Sequence, residues 1–470
     1  MNRIVIYFNV IMLMCCSVRV LGQKESNIWY FGNYSGIDFN TGAPQPIFNG
    51  AMATYDNTST VCDSLGNLLF YTNGVTVWNS GHAIMNNGQN IGGSTTGGQS
   101  AIIIKQPSSN SLYYIFTSDA FGASGGLKYS VVDMNSAAGL GSVTQIGVVL
   151  QNPSTEKLAG YYFCSERYAW LITHKGNSNE FYCYKIGANG LNTVPVVSAV
   201  GTYHLAGPWG VVNNSAGQMS ISKDGSKIST VKFSNGEIEI FDFNKNTGVV
   251  SNPILLSSTY PFAWGVEFSP DASKLYVSIY NSTMIKQFDI SSGNPNIINN
   301  SMIGIGNITG AFCSGLAGST GYCQRGPDDK IYIAKCGSNY ISVINSPNSA
   351  GALCGFVDNG VFLGSGVSTF GLSRSVASEC LTSYIQNNES DESFSVYPNP
   401  GNGSFTFSFP VKSSEKIYQL IIYNSLGKIV FSKQIDSSQI KSINTALLSG
   451  YYTLELKGNN KSIYKKIVVY

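Results

Sequence analysis

An all-β fold, a β-propeller followed by a small β-sandwich, is predicted for this 470-residue chain on three observations. A unit of strand, tight polar turn and second strand recurs along the body. Many of its strands read as continuously apolar, as strands buried on both faces do. The last stretch, roughly 75 residues, switches to the period-two alternation of strands with one buried face.

The repeat is clearest in residues 222–228 leading to 238–242, in 269–277 leading to 285–289, and in 326–333 leading to 341–344. Looser copies begin near Asp63, Pro107 and Glu166. The spacing of these turns, roughly 45 to 60 residues, with about four short strands per unit, is that of propeller blades. Six copies are visible, and residues 28–39 are expected to join residues 361–375 in a closing blade. Seven blades is the preferred count, with six or eight as alternatives. The units resemble blades of WD40-like and YVTN-like surface propellers. The segments 27–32 and 69–79 resemble the start of a family of uncharacterised secreted Bacteroidetes proteins, a resemblance that implies no activity.

In the tail, Phe405, Phe407 and Phe409 alternate with Ser404, Thr406 and Ser408, and Tyr452, Leu454 and Leu456 alternate with Thr453, Glu455 and Lys457. Residues 417–423 form a denser apolar run closed by a turn at 424–427, which suits a small antiparallel sandwich. Four short motifs stand in register here: Tyr397-Pro398-Asn399-Pro400 with Gly403, the turn at Gly427, Gly450 with Tyr452, and Lys465-Lys466 before the last strand. Together they resemble the type A C-terminal sorting domain of the Bacteroidetes type IX secretion system. That resemblance implies secretion or display on the outer-membrane surface, with the secretion machinery as a partner. A polar, acidic segment, 383–393, reads as a linker. The expected organisation is therefore a signal peptide (1–22), a propeller (23–382), the linker, and the sorting domain (394–470).

The other end of the chain agrees. Asn2 and Arg3 precede a short apolar run, and Val20 and Gly22 supply small residues, so cleavage between Gly22 and Gln23 is expected. A lipoprotein signal at Cys15-Cys16 is the weaker alternative. No other segment approaches a membrane-spanning length.

The chain carries +2 overall, but the tail from Phe394 has nine Lys against three acidic residues and the leading segment adds two Arg, which leaves residues 23–393 at −6. An acidic body has no stripe with which to neutralise phosphates, so nucleic acid is not an expected partner. Eight cysteines fall in the body and none in the tail. An export route through an oxidising compartment favours disulfides, and Cys313 with Cys323, Cys336 with Cys354, and Cys164 with Cys183 are the local pairings expected first. No short Cys-x-x-Cys spacing occurs, so neither a metal nor another cofactor is expected.

Motifs of catalysis are thin. There are three histidines, His82, His174 and His204, and no nucleophile elbow, His-Glu-x-x-His, phosphate loop or calcium loop. The constellation worth weighing precedes the blade turns. Aligning the turns puts Ser220, Glu267 and Gln324 at equivalent positions, with His204, Trp209, Trp264 and Tyr322 upstream and Arg325 beside them. Aromatic faces next to a carboxylate, an amide and a guanidinium suit a sugar ring or a peptide end. The competing reading makes the tryptophans packing residues between blades. Glu267 is a weak candidate for a catalytic acid or base, because a glycoside hydrolase needs a second carboxylate about 5 to 9 Å away. The expectation is an extracellular binding propeller for a glycan, a peptide or a surface protein. The alternatives are a propeller-type carbohydrate-active enzyme, hydrolase or lyase, and a structural or adhesive envelope protein.

Overall fold

The computed structural model describes residues 24–378, apart from 57, 100, 208–212, 257–259, 314–315 and 318–319. In the tail it describes 395–397, 399, 401–408, 417–424, 428–436, 441–445, 447–457 and 462–469. The signal segment with its Gly22–Gln23 cleavage and the linker 383–393 lie outside these residues. Two compact units are present, 1–382 and 383–470.

The first unit is a ring of seven blades. Blade one runs from the inner strand Thr58–Cys62 to Ile84–Gln89, and blade two from Ala101–Lys105 to Ser142–Gln151. The inner strands of blades three to six are Ser154–Phe163, Met219–Ile221, Ala263–Phe268 and Thr320–Arg325. The closing blade holds Ile28–Phe31, Ser35–Asp38 and Gln45–Ile47. Its innermost position is taken by the far end of the body, where Asn33 and Val367 bond to one another as an antiparallel bridge. Both ends of the propeller thus share one blade, as the repeat count predicts.

Among the described residues, seven separate apolar cores, one between each pair of neighbouring blades, close the ring. Blade one packs on blade two through Val61, Phe70, Ile103 and Ile115. Blade two packs on blade three through Ile102, Ile104, Leu158 and Leu171. The continuous run Ile102-Ile103-Ile104 therefore makes sense: successive side chains point to opposite faces, and each face is buried against a different neighbour. Trp29, Phe31, Ile37 and Phe39 meet Tyr332, Ile341 and Val343 of blade six, while Ile28 and Tyr30 meet Cys62 and Tyr71 of blade one. Burial of that kind contributes roughly 25 cal/mol per Å² of apolar surface, and it is distributed around the ring.

The recurring turns join the first strand of a blade to the second. In blade four the Ser222 hydroxyl donates to Asp224 and accepts from the Ser226 and Lys227 backbone N–H groups. Blade five repeats this with Ser269, Asp271 and Lys274. Gly225 has φ 71°, and Ala272 and Asp329 hold similar positive angles in their turns, which is why small or Asp-type residues recur there.

After Val367 the chain turns along the axis. Ser373–Arg374 pairs in parallel with the inner strand of blade one, and Ala377–Ser378 with that of blade three. This segment crosses the channel face from blade one to blade three and fills part of the channel.

All three disulfide expectations fail. Cys313 bonds to Cys336, with Cα atoms 5.6 Å apart, and Cys323, Cys354 and Cys183 are free and buried. Cys164 is disulfide-bonded, but to a partner other than Cys183, so the third pairing fails as well. The reason is topological. Cys323 lies in an inner strand and packs into the core between blades five and six. Cys313 sits in a small hairpin, Phe312–Cys313 with Leu316–Ala317, whose Phe312 N–H donates to the Cys336 carbonyl.

The tail forms a three-stranded sheet, which includes Ser404–Ser408, and a four-stranded sheet, which includes Ile417–Asn424 and Gly450–Lys457. Phe405, Leu420, Ile422, Leu454 and Leu456 share its core with Tyr452 packed against it, so these alternating residues face inward as expected, while Phe409 and the side chain of Phe407 lie outside the description. Of the motif residues, Pro398, Pro400 and Gly427 fall outside the described residues.

Candidate functional site

A cavity of about 420 Å³ opens at the axis where the inner strands end and the turns begin. Ser220, Glu267, Gln324 and Arg325 line it from three adjacent blades. Lys105, Tyr162, Lys223, Asp329 and the crossing segment from Arg374 to Ser378 complete the wall. The alignment of turns therefore does bring Ser220, Glu267 and Gln324 to one place, since equivalent positions of inner strands face the same level of the channel.

Glu267 is 3% exposed and its oxygens are engaged. Oε1 accepts from the Ser220 hydroxyl at 2.8 Å and from the Phe268 N–H at 3.1 Å, and Oε2 accepts from the Arg325 N–H at 3.3 Å. The Arg325 guanidinium is 3.7 Å from Oε1. A carboxylate held this way suits a fixed acceptor that orients Arg325. The Gln324 amide donates to the Arg325 carbonyl and to the Ser375 hydroxyl, at 3.1 and 3.3 Å. Arg374 spends Nη2 on the carbonyls of Leu158 and Met219, at 3.3 and 3.0 Å. Burial pulls its pKa down to about 10, and the neighbouring Glu267 carboxylate acts against that, so it stays charged at neutral pH. Among the described residues, Gln324 Oε1, Arg325 Nη1, and Arg374 Nε and Nη1 are buried with no hydrogen-bond partner. Lys223 reaches from the blade-four turn to both oxygens of Asp329 in the blade-six turn, at 2.8 and 2.7 Å.

The remaining residues expected at the site are elsewhere. Trp264 is 4% exposed and packs on Tyr322, Phe233, Tyr280 and Phe370, with the Trp264 and Tyr322 rings 4.9 Å apart. It begins an inner strand that Glu267 nearly ends, about 10 Å further along at 3.3 Å per residue. His204 is buried between blades three and four. Its ring stacks on His174 at 3.8 Å, and its Nε2 is 3.4 Å from Glu239 Oε2. Burial holds both imidazoles well below the usual histidine range, hence neutral. Trp209 lies outside the described residues. The packing reading therefore fits Trp264, Tyr322 and His204, while the cavity keeps Glu267, Gln324 and Arg325.

Sequence reasoning missed Arg374. A lone arginine in the apolar segment that follows the last blade is its only signal. It also missed a buried charged group at the opposite end of the channel. Asp56 is fully buried, and its carboxyl is pushed up to about 8 by burial, with a smaller push from Glu156. Glu156 is raised by burial against the pull of the Gly98 and Phe121 N–H groups it accepts from. Lys157, lowered by burial, donates to the carbonyls of Asn214, Ser215 and Ala216 at 2.8–2.9 Å. A further hollow of about 500 Å³ on the edge of blade six is lined by no Asp, Glu, Lys, Arg or His side chain.

Comparison with known proteins supports the address more than the activity. None of the curated proteins matches the chain. Among solved structures, a functionally unknown protein from Desulfotomaculum acetoxidans is 11% identical with TM-score 0.41, covering 74% of this chain and 98% of its own. A Bacteroides uniformis protein provisionally assigned as a 6-phosphogluconolactonase is 12% identical with TM-score 0.38, covering 89% and 100%. The periplasmic gluconolactonase of Pseudomonas aeruginosa is 12% identical with TM-score 0.35, covering 79% and 95%. At that distance they do not speak to activity. Residues 395–470 match the secretion system C-terminal sorting domain, which indicates export of the chain to an extracellular or cell-surface location.

Proposed function

We propose that the exported propeller is a binding protein whose axial cavity takes up part of an extracellular glycan, peptide or surface protein. The observation that carries this reading is the cavity itself: it is concave, it sits on the axis, and buried donors and an acceptor at its wall lack internal partners. Unpaired buried polar atoms are costly in a fold, at about 1–3 kcal/mol each, and a ligand that satisfies them recovers that cost. The test is a glycan and peptide array probed with the full chain and with Ser375→Trp, which fills the cavity from the crossing segment. Saturable binding that disappears in the variant supports the proposal. Binding that survives the filled cavity moves the site elsewhere.

The enzyme reading has one observation in its favour. Asp56 and Glu156 are both buried at the other end of the channel and interact, and burial raises the Asp56 carboxyl to about 8, as a general acid requires. Product release from an array glycan that stops in Asp56→Asn would establish it.

A further inference from the structure

We propose that the group recognised by the axial cavity is a carboxylate, held by the guanidinium groups of Arg374 and Arg325. This rests on the binding role of the cavity and narrows it to a chemical class.

The charges around the cavity leave one cation over. Lys223 is matched by Asp329, at 2.7 Å. Lys105 has Glu25 as its neighbour of opposite charge, and both line the cavity. Glu267 is 3.7 Å from Arg325 and its charge also acts on Arg374, so the two guanidinium groups share it. Arg374 is 5% exposed and its hydrogen bonds run to two neutral carbonyls. Two buried guanidinium groups that share one carboxylate are costly, and charge-assisted pairing with a second carboxylate relieves them. The donors fit too. Arg374 Nε and Nη1 make no hydrogen bond, Arg325 Nη1 makes none and has Glu267 Oε1 only at 3.7 Å, and a planar guanidinium presents such N–H groups as a fork matched to a carboxylate. Gln324 Oε1, also unpartnered, accepts a hydroxyl or an amide N–H beside that carboxylate. Two ligand types share this chemistry, a uronic acid and the C-terminal residue of a peptide.

Isothermal titration of the full chain separates the outcomes. The probes are galacturonate against galactose, and an acetylated dipeptide acid against its amide. One acid is expected to bind at least about tenfold more tightly than its neutral counterpart, the scale of a charged hydrogen bond. Whichever acid wins identifies the ligand type. Arg325→Gln is expected to erase that preference. Arg325→Lys, which keeps a counter-charge beside Glu267 should the first variant fail to fold, is expected to weaken it by less. Equal binding of acid and neutral probes overturns the carboxylate assignment while leaving the cavity as the site. The assignment is likewise overturned if no probe binds while an array ligand still depends on the open cavity. If no ligand depends on the cavity at all, both readings fall.

Discussion

The two ends of the propeller channel are built from the same inner strands and have opposite characters. Where the strands begin, Trp264, Tyr322 and Phe370 pack ring on ring, and Asp56, Glu156 and Lys157 are sealed beneath loops. Where the strands end, Glu267, Gln324 and Arg325 face a cavity that the crossing segment only partly fills. The difference shows that residue type alone does not mark a propeller site. A tryptophan three residues from a carboxylate sits at another level of the axis and answers to another set of neighbours.

The comparison can be broken most forcefully at the sealed end. Lys157 gives its ammonium to three carbonyls and offsets the charge of Glu156. Lys157→Ala leaves those carbonyls without their donor and the Glu156 carboxylate with only the Gly98 and Phe121 N–H groups, and a loss of about 5 kcal/mol is expected, read as a collapse of the urea midpoint. A midpoint shift within experimental scatter would show that this end is hydrated. Trp264→Ala is expected to lower stability by about 4 kcal/mol while leaving ligand affinity at the cavity unchanged.

The disulfide gives a smaller effect. Replacing Cys313 and Cys336 together by Ser opens a loop with a sequence separation of 23 residues, and about 3 kcal/mol of stability should go with it. Peptide mapping under non-reducing conditions checks the pairing directly, and a Cys313–Cys323 crosslink would contradict it.

The smallest expected effect is the slope with pH read between pH ~5 and pH ~7. The Asp56 carboxyl is raised from 3.8 to about 8 by burial. Between those values the folded chain holds a proton that the unfolded chain releases. The stability this group contributes is therefore full below about pH 4 and is lost as pH rises toward about 8, at about 1.4 kcal/mol per pH unit. Asp56→Asn removes that dependence, so the stability of wild type relative to the variant should fall from pH ~5 to pH ~7. A constant difference would mean that Asp56 is ionised within the fold.

Much of the architecture could be read from local pattern. The Ser-x-Asp turns announce themselves because one hydroxyl and one carboxylate organise each of them within a few residues. The closing blade follows from an odd strand pattern left at each end of the body. Arg374 could not be found that way, because its partners, Leu158 and Met219, are brought to it by closure of the whole ring. The Cys313–Cys336 bond escaped for a related reason. Cys323 is nearer in sequence to Cys313, but period-two geometry turns its side chain into a blade core.

The most direct test sets the two ends against each other in one titration. An array-identified ligand is titrated into the full chain, into Arg325→Gln and into Trp264→Phe, with unfolding midpoints measured alongside. A polar-end site predicts affinity lost in Arg325→Gln at a midpoint that still leaves the variant folded, and affinity retained in Trp264→Phe. Affinity lost in Trp264→Phe and kept in Arg325→Gln would place the ligand at the aromatic end and contradict a polar-end site.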